Sequence, residues 1–220
     1  CMNGSDIPTT VKEYNTKLKN ITNVIFESHC NIVALQELPH DLKIQIEDNE
    51  DLKELLKDPK GDELFGPRFK DLHNKINNPK IEHDDKEEDE YKTMKQELIG
   101  TEVKLQFKPN IMEKMCKLLK DDTKCEWEIQ YSPVNHLEDT FVPGERLDAR
   151  KNRKEVYAFV YNTSVVKFQH AELSKTNKVE DHRSLSDRFS RCPIISNFSS
   201  NKLDFTLCTV HLPPPNKKIK

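Results

Sequence analysis

The stretch RFSRCPIISNFSSNKLDFTLCTVHLPPP, residues 188–215, reads as two β-strands that each carry a polar residue their pattern does not require. Residues 193–198 form a short apolar run with Ser190-Arg191-Cys192 at its mouth. Residues 203–210 alternate and are β-branched, and they end abruptly at His211-Leu212-Pro213. The prolines that follow stop a strand, because none has the N–H that a ladder needs. A histidine placed just before such a stop sits at the rim of a sheet, where side chains reach ligands. Taken by itself, such a histidine is more often an ordinary strand-end residue, so its weight depends on the rest of the chain.

Working outward, residues 156–161 (VYAFVY) give the clearest strand signal, 165–169 a further strand, and 127–131 an alternating one. Ile111, Met115, Leu118 and Leu119 share one helical face, and Asp121-Asp122 ends that helix. Near the start, Val11, Tyr14, Leu18, Ile21, Ile25 and Phe26 recur at spacings of three and four. That period marks an amphipathic helix over 10–28, with Pro8-Thr9-Thr10 as its N-cap region. The run Asn31-Ile-Val-Ala-Leu-Gln36 predicts a strand buried on both faces, closed by Glu37. An acid at the C-terminal end of a buried strand is where α/β sheets place ligand-binding groups. A solvated acid at a loop start explains the same residue equally well.

Composition sets limits. Lys and Arg number 35 against 38 Asp and Glu, a net charge of −3, so no global polycation marks a nucleic-acid binder. The mean hydropathy of −0.81 is polar for a globular chain. No apolar run approaches the ~18–20 residues that cross a bilayer, and no signal-peptide pattern opens the sequence. The six cysteines lack CxxC spacing and paired histidines, which argues against structural zinc. Cys30 and Cys208, next to or within predicted strands, are expected as buried thiols. Sequons at Asn3, Asn20, Asn162 and Asn197 favour secretion only weakly, and the compartment stays open. P-loop, GxSxG and GxGxxG signatures are missing from a chain with 5 glycines.

Residues 41–108 are different material, dense in Lys, Glu and Asp. Helices are expected there, over 49–57 and 87–99 among others. The block Glu82-His-Asp-Asp-Lys-Glu-Glu-Asp-Glu90 reads as a solvated face rather than a metal site. The segment reads as a charged helical insertion able to serve a partner.

With these residues in hand, the chain resembles the deoxyribonuclease I-like endonuclease/exonuclease/phosphatase superfamily, and its deoxyribonuclease I branch most closely. Five stretches match in the family's order, over about residues 1–40 and 110–215. They are Asn31-Ile-Val-Ala-Leu-Gln-Glu37, the helix and strand over 111–133, and Lys154-Glu-Val-Tyr-Ala-Phe-Val-Tyr161. Phe189-Ser-Arg-Cys-Pro193 and the strand over 207–213 complete the set. The resemblance implies an α+β fold, a four-layer α/β/β/α sandwich, hydrolysing phosphodiesters with Mg²⁺ or else Ca²⁺ or Mn²⁺. It implies that Glu37 is a metal ligand, since a carboxylate suits a hard cation. His211 would act on the scissile phosphate or the leaving group, and Arg191 would grip a phosphate as a planar, permanently charged fork. Arg150 and Arg153 would contact the backbone of a DNA substrate without reading its sequence, although a solvated basic loop fits them equally well.

The chain departs from the family where Cys1 occupies the register of a metal-site asparagine and where Pro133 follows Ser132. The later G-D-x-N and S-D-H motifs do not occur in residues 1–220. The expectation is therefore the N-terminal part of one such domain, with the first sheet and its helices present, the second sheet largely missing and a charged insertion at 41–108. Two functions follow: a divalent-metal-dependent endonuclease acting on DNA, or an inactive homologue that binds a protein partner through the insertion. A lipid- or inositol-directed phosphatase fits less well, because the F-S-R-x-P and K-E-x-Y-A-F matches resemble the nuclease branch.

Overall fold

The computed structural model describes residues 7–39, 41–131, 155–169, 194–201 and 203–209. Their order is α1 (Val11–Glu27), β1 (Ile32–Pro39), β2 (Asp41–Gln45), α2 (Asn49–Leu56), α3 (Pro67–Ile76), α4 (Asp85–Leu98), β3 (Glu102–Gln106), α5 (Glu113–Thr123), β4 (Trp127–Tyr131), β5 (Glu155–Asn162), β6 (Lys167–Gln169), β7 (Ile194–Ser200) and β8 (Leu203–Thr209). A 3₁₀ turn over Gly61–Phe65 precedes α3, and a π-helical turn over Phe107–Met112 leads into α5. Five helices alternate along the chain with strands whose described sheets are all antiparallel, a mixed arrangement compatible with the α+β class. Contacts divide it into two units, residues 25–40 with 119–220 (and Cys1), and residues 2–24 with 41–118.

The second of these units holds most of α1. That helix starts as its sequence dictates: the Thr10 hydroxyl accepts from the Glu13 N–H, while Glu13 Oε2 accepts from the Thr9 N–H and hydroxyl. The first bond satisfies a donor that the helix start leaves orphaned, and the second ties the residue before the cap to the first turn. Val11, Tyr14, Leu18, Thr22 and Ile25 form the buried stripe of the helix. β2 and β3 pair antiparallel with Leu42, Ile44, Val103 and Leu105 all facing inward. Their outer face places Lys43 opposite Lys104, a repulsive pairing. Diagonal ion pairs offset it, Lys43 with Glu102 at 2.7 Å and Lys104 with Asp41 at 2.5 Å.

Residues 41–108 thus carry their own core. Phe69, Leu72 and Tyr91 are buried between α3 and α4, with Leu56, Phe65, Ile76, Met94 and Leu98 packed around them. α4 begins with a capping box in which Asp84 and Glu87 bond reciprocally. The helices expected over 49–57 and 87–99 are present as α2 and α4. Gly61 is required by close approach, since a Cβ there would lie 1.9 Å from the Leu55 carbonyl oxygen.

The other unit contains two antiparallel sheets, β1-β5-β4 and β6-β7-β8. They share one aromatic core. The ring of Phe198, fully buried in β7, lies 5.6 Å from Phe159, 5.5 Å from Tyr161, 5.6 Å from Phe168 and 6.0 Å from Phe205. Most of these contacts are edge-on, the geometry that aromatic quadrupoles favour. β5 is central and buried on both faces from Tyr157 to Asn162.

Two expectations are corrected. Among the described residues β1 pairs only with β5, antiparallel, and it has Ala34 exposed and only Leu38 fully buried among its described side chains, so it is not buried on both faces. Its apolar run faces one core instead of the two of a parallel sheet. Cys30 and Cys208 are exposed thiols. Cys30 follows the left-handed turn at His29, before the strand begins, and Cys208 pairs with Ile195 on the outer face of the second sheet.

Candidate functional site

The first unit gathers the ends of its strands at one rim. β5 starts there, with Glu155 opposite Pro39 at the end of β1. β4 ends there, Tyr131 lying opposite Ala158. In the other sheet, Ile194 at the start of β7 pairs with Thr209 at the end of β8. A hydrogen bond from Gln36 Nε2 to Thr209 Oγ1, 2.7 Å, ties the two sheets together at this rim. Thr209 is itself buried, so the bond satisfies a hydroxyl that would otherwise be desolvated without a partner.

β1 is irregular at this point. Leu35 pairs with Ala158 and Leu38 with Val156, so Gln36 and Glu37 together oppose Tyr157. This is a β-bulge, which adds one residue to one strand and re-aims the side chains beside it. Bulges concentrate at sheet rims and next to active sites for that reason. The residue expected as a metal ligand therefore occupies the one place in β1 where regular alternation breaks.

The expected site residues are neighbours in sequence of these strand ends. Glu37 is within the bulge, and the structure describes its backbone. His211 follows Thr209 by two positions, Arg191 precedes Ile194 by three, and Arg150 and Arg153 precede the start of β5. All four lie outside the described residues. Gln36 and Thr209 carried no functional expectation. The available signal was the Gln beside Glu37 and the Thr in Thr209-Val-His211, which pattern reading treats as strand filler. Among the described residues no group of three or more His, Cys, Asp or Glu side chains is placed to hold a metal, the stretch around His83 included.

Two further polar clusters belong to the second unit. Lys114, in the first turn of α5, donates to Asp58 Oδ1 and, at 2.6 Å, to Asn15 Oδ1. Its ammonium also lies 4.9 Å from the centre of the Tyr14 ring. The Asp58 side chain is 3% exposed and that of Lys114 13%. Asp58 Oδ2 and the Tyr14 hydroxyl are buried and form no hydrogen bond among the described residues. Burial pushes the Asp58 carboxyl up, against the pull of Lys114, and pushes the Tyr14 phenol up with the charge of Asp58 adding to it. Between α3 and α4, His73 Nδ1 is 2.7 Å from the Tyr91 hydroxyl and 3.1 Å from Asn77 Nδ2. Burial holds this imidazole below the usual histidine value, the Asp62 charge opposing and Lys95 adding to the fall.

Comparison of the chain with protein-family models, with curated proteins and with solved structures finds no match.

Proposed function

We propose that the rim of the first unit is part of a phosphodiesterase site, and that the protein is a divalent-metal-dependent endonuclease acting on DNA with a deoxyribonuclease I-like, four-layer sandwich. The observation that carries this reading is the convergence of strand ends. The bulge at Gln36-Glu37, the start of β5, the start of β7 and the end of β8 meet at one rim, joined by the Gln36–Thr209 bond. Residues far apart in sequence are thereby fed towards a single place. Three of the five stretches that carry the resemblance, 31–37, 154–161 and 207–213, include one of these places.

In this reading Glu37 holds Mg²⁺ through its carboxylate, the donor type that hard cations select. Such an ion would supply charge neutralisation for the phosphate and the leaving oxygen. His211 hydrogen-bonds the scissile phosphate or protonates the leaving oxygen. Arg191 grips a phosphate bidentately, and Arg150 and Arg153 position the duplex through its backbone. Plasmid nicking in Mg²⁺ by the intact natural protein tests the assignment. Glu37→Ala and His211→Ala each abolish nicking, and retained nicking in both would refute the site.

A second reading has one observation in its favour. Residues 41–108 are built around a core of their own and present a folded, charged surface. A partner-binding homologue would need such a surface and no catalytic rim. A natural protein inert towards supercoiled DNA in Mg²⁺, Ca²⁺ and Mn²⁺ would favour it.

A further inference from the structure

Three of the four sequons fall on described residues, and the fold treats them differently. Asn162, at the end of β5, is 6% exposed. Its Oδ1 accepts from the Ser164 N–H at 3.0 Å, its Nδ2 donates to Asn31 Oδ1 at 3.3 Å, and its carbonyl accepts from Val165 and Val166. That side chain organises the turn between β5 and β6, and an oligosaccharide on its buried nitrogen would disrupt its bond to Asn31 and the turn it holds. Asn197, half-buried in β7, accepts from the Thr206 hydroxyl at 2.6 Å across the strand pair.

Asn20 is the contrast. It is exposed on α1 beside exposed Lys19. Helical geometry puts it opposite the buried stripe of Leu18, Thr22 and Ile25. Its amide makes no hydrogen bond among the described residues. A bulky substituent there projects into solvent and leaves the packing of α1 unchanged.

We propose that Asn20, in Asn20-Ile21-Thr22, is an N-glycan acceptor, and that the chain therefore passes through a glycosylating compartment. Asn20 Nδ2 forms a bond to C1 of a lipid-pyrophosphate-linked oligosaccharide. The C1–O bond to the pyrophosphate breaks, the lipid pyrophosphate leaves, and the amide gives up one proton. Thr22 sets the timing. Its hydroxyl, which the sequon requires, is fully buried and donates to the Lys19 carbonyl at 3.0 Å. Transfer must then precede the packing of α1, during synthesis.

The test is peptide mass spectrometry of the natural protein after peptide-N-glycosidase digestion in H₂¹⁸O, which converts a glycosylated Asn into labelled Asp. Labelled Asp at position 20 and unmodified Asn at 162 are expected. An unmodified Asn20, or a label at 162, overturns the proposal. A second measurement uses the chain secreted from cultured eukaryotic cells behind an added leader. Asn20→Gln loses the mass of one glycan there and Asn162→Gln loses none. An unchanged mass for Asn20→Gln overturns the proposal as well.

Discussion

Removing the Lys114 ammonium while keeping its stem, as Lys114→Met does, leaves the Asp58 carboxylate buried without a counter-charge. The Asp58 side chain is 3% exposed and its Oδ2 has no hydrogen-bond partner among the described residues, so little water can enter to help. Breaking a buried ion pair in this way costs about 3–5 kcal/mol. A second route to the magnitude sets a ceiling. The stranded carboxylate can always take up a proton, and at pH 7 that costs about 4 kcal/mol for a group whose ordinary value is ~3.9. Each unit of acidification lowers the ceiling by ~1.4 kcal/mol, to about 1.5 kcal/mol at pH 5. Loss of the contact with the Tyr14 ring adds roughly 0.5–2 kcal/mol that does not vary with pH. The sign agrees with linkage. A carboxyl raised in the folded state binds more protons folded than unfolded, so the variant regains stability as pH falls. Urea unfolding followed by far-UV circular dichroism, at unchanged m-value, measures the difference. The variant should lose about 4 kcal/mol or more at pH 7 and roughly half that at pH 5. Lys114→Met/Asp58→Asn should recover most of the loss. A cost below about 1.5 kcal/mol at pH 7, an absent pH dependence, or a double variant no better than the single would refute the reasoning.

Phe198→Ala should cost about 3–5 kcal/mol, towards the upper end because four aromatic rings surround the site. The single tryptophan, Trp127 in the same unit, reports it by fluorescence, and a loss below about 2 kcal/mol would mean that the two sheets do not depend on this core. His73 is held below the usual histidine value, so its contribution is complete above about pH 6.5 and is lost as pH falls through the lowered value. Hydrogen exchange of α3 and α4 should accelerate with acidification over that window, and His73→Gln should flatten the response. An unchanged slope would assign the acid sensitivity to Glu87 and Glu90, which pair with Lys75 and Arg68.

Much of the first unit was legible. Trp127–Tyr131 was bounded correctly by alternation alone, and β5, β7 and β8 were found to within a residue or two. α1 was legible because its period of three to four and its Thr10 cap agree. β2 and β3 were not expected. Leu42 and Ile44, and Val103 and Leu105, do alternate with polar residues, but each strand is five residues long and set among charges that read as solvated. Only pairing with a distant partner turns such short segments into a ladder, and composition does not report pairing. The burial of β1 was misjudged because a continuous apolar run fits a doubly covered strand and a singly covered one alike. At the rim, Glu37 was legible as an acid near the end of a strand, although β1 runs two residues past it to Pro39 and so does not close there. The bulge that holds it was not, since a bulge appears only once both strands are aligned.

The pairing of Ile32 with Tyr161 also has a temporal side. At ~5–20 residues per second, the ribosome delivers Tyr161 roughly 6 to 26 seconds after Ile32. Throughout that interval Ile32-Val-Ala-Leu35 has no strand to join. Residues 41–118 are made in the meantime, and the α3–α4 pair, whose partners lie close in sequence, can close early. Nascent chains therefore carry a bare, apolar, β-prone segment beside an already folded neighbour. Truncation between residues 118 and 155 yields that species permanently, and it is the form of this protein most prone to aggregate and most in need of a chaperone.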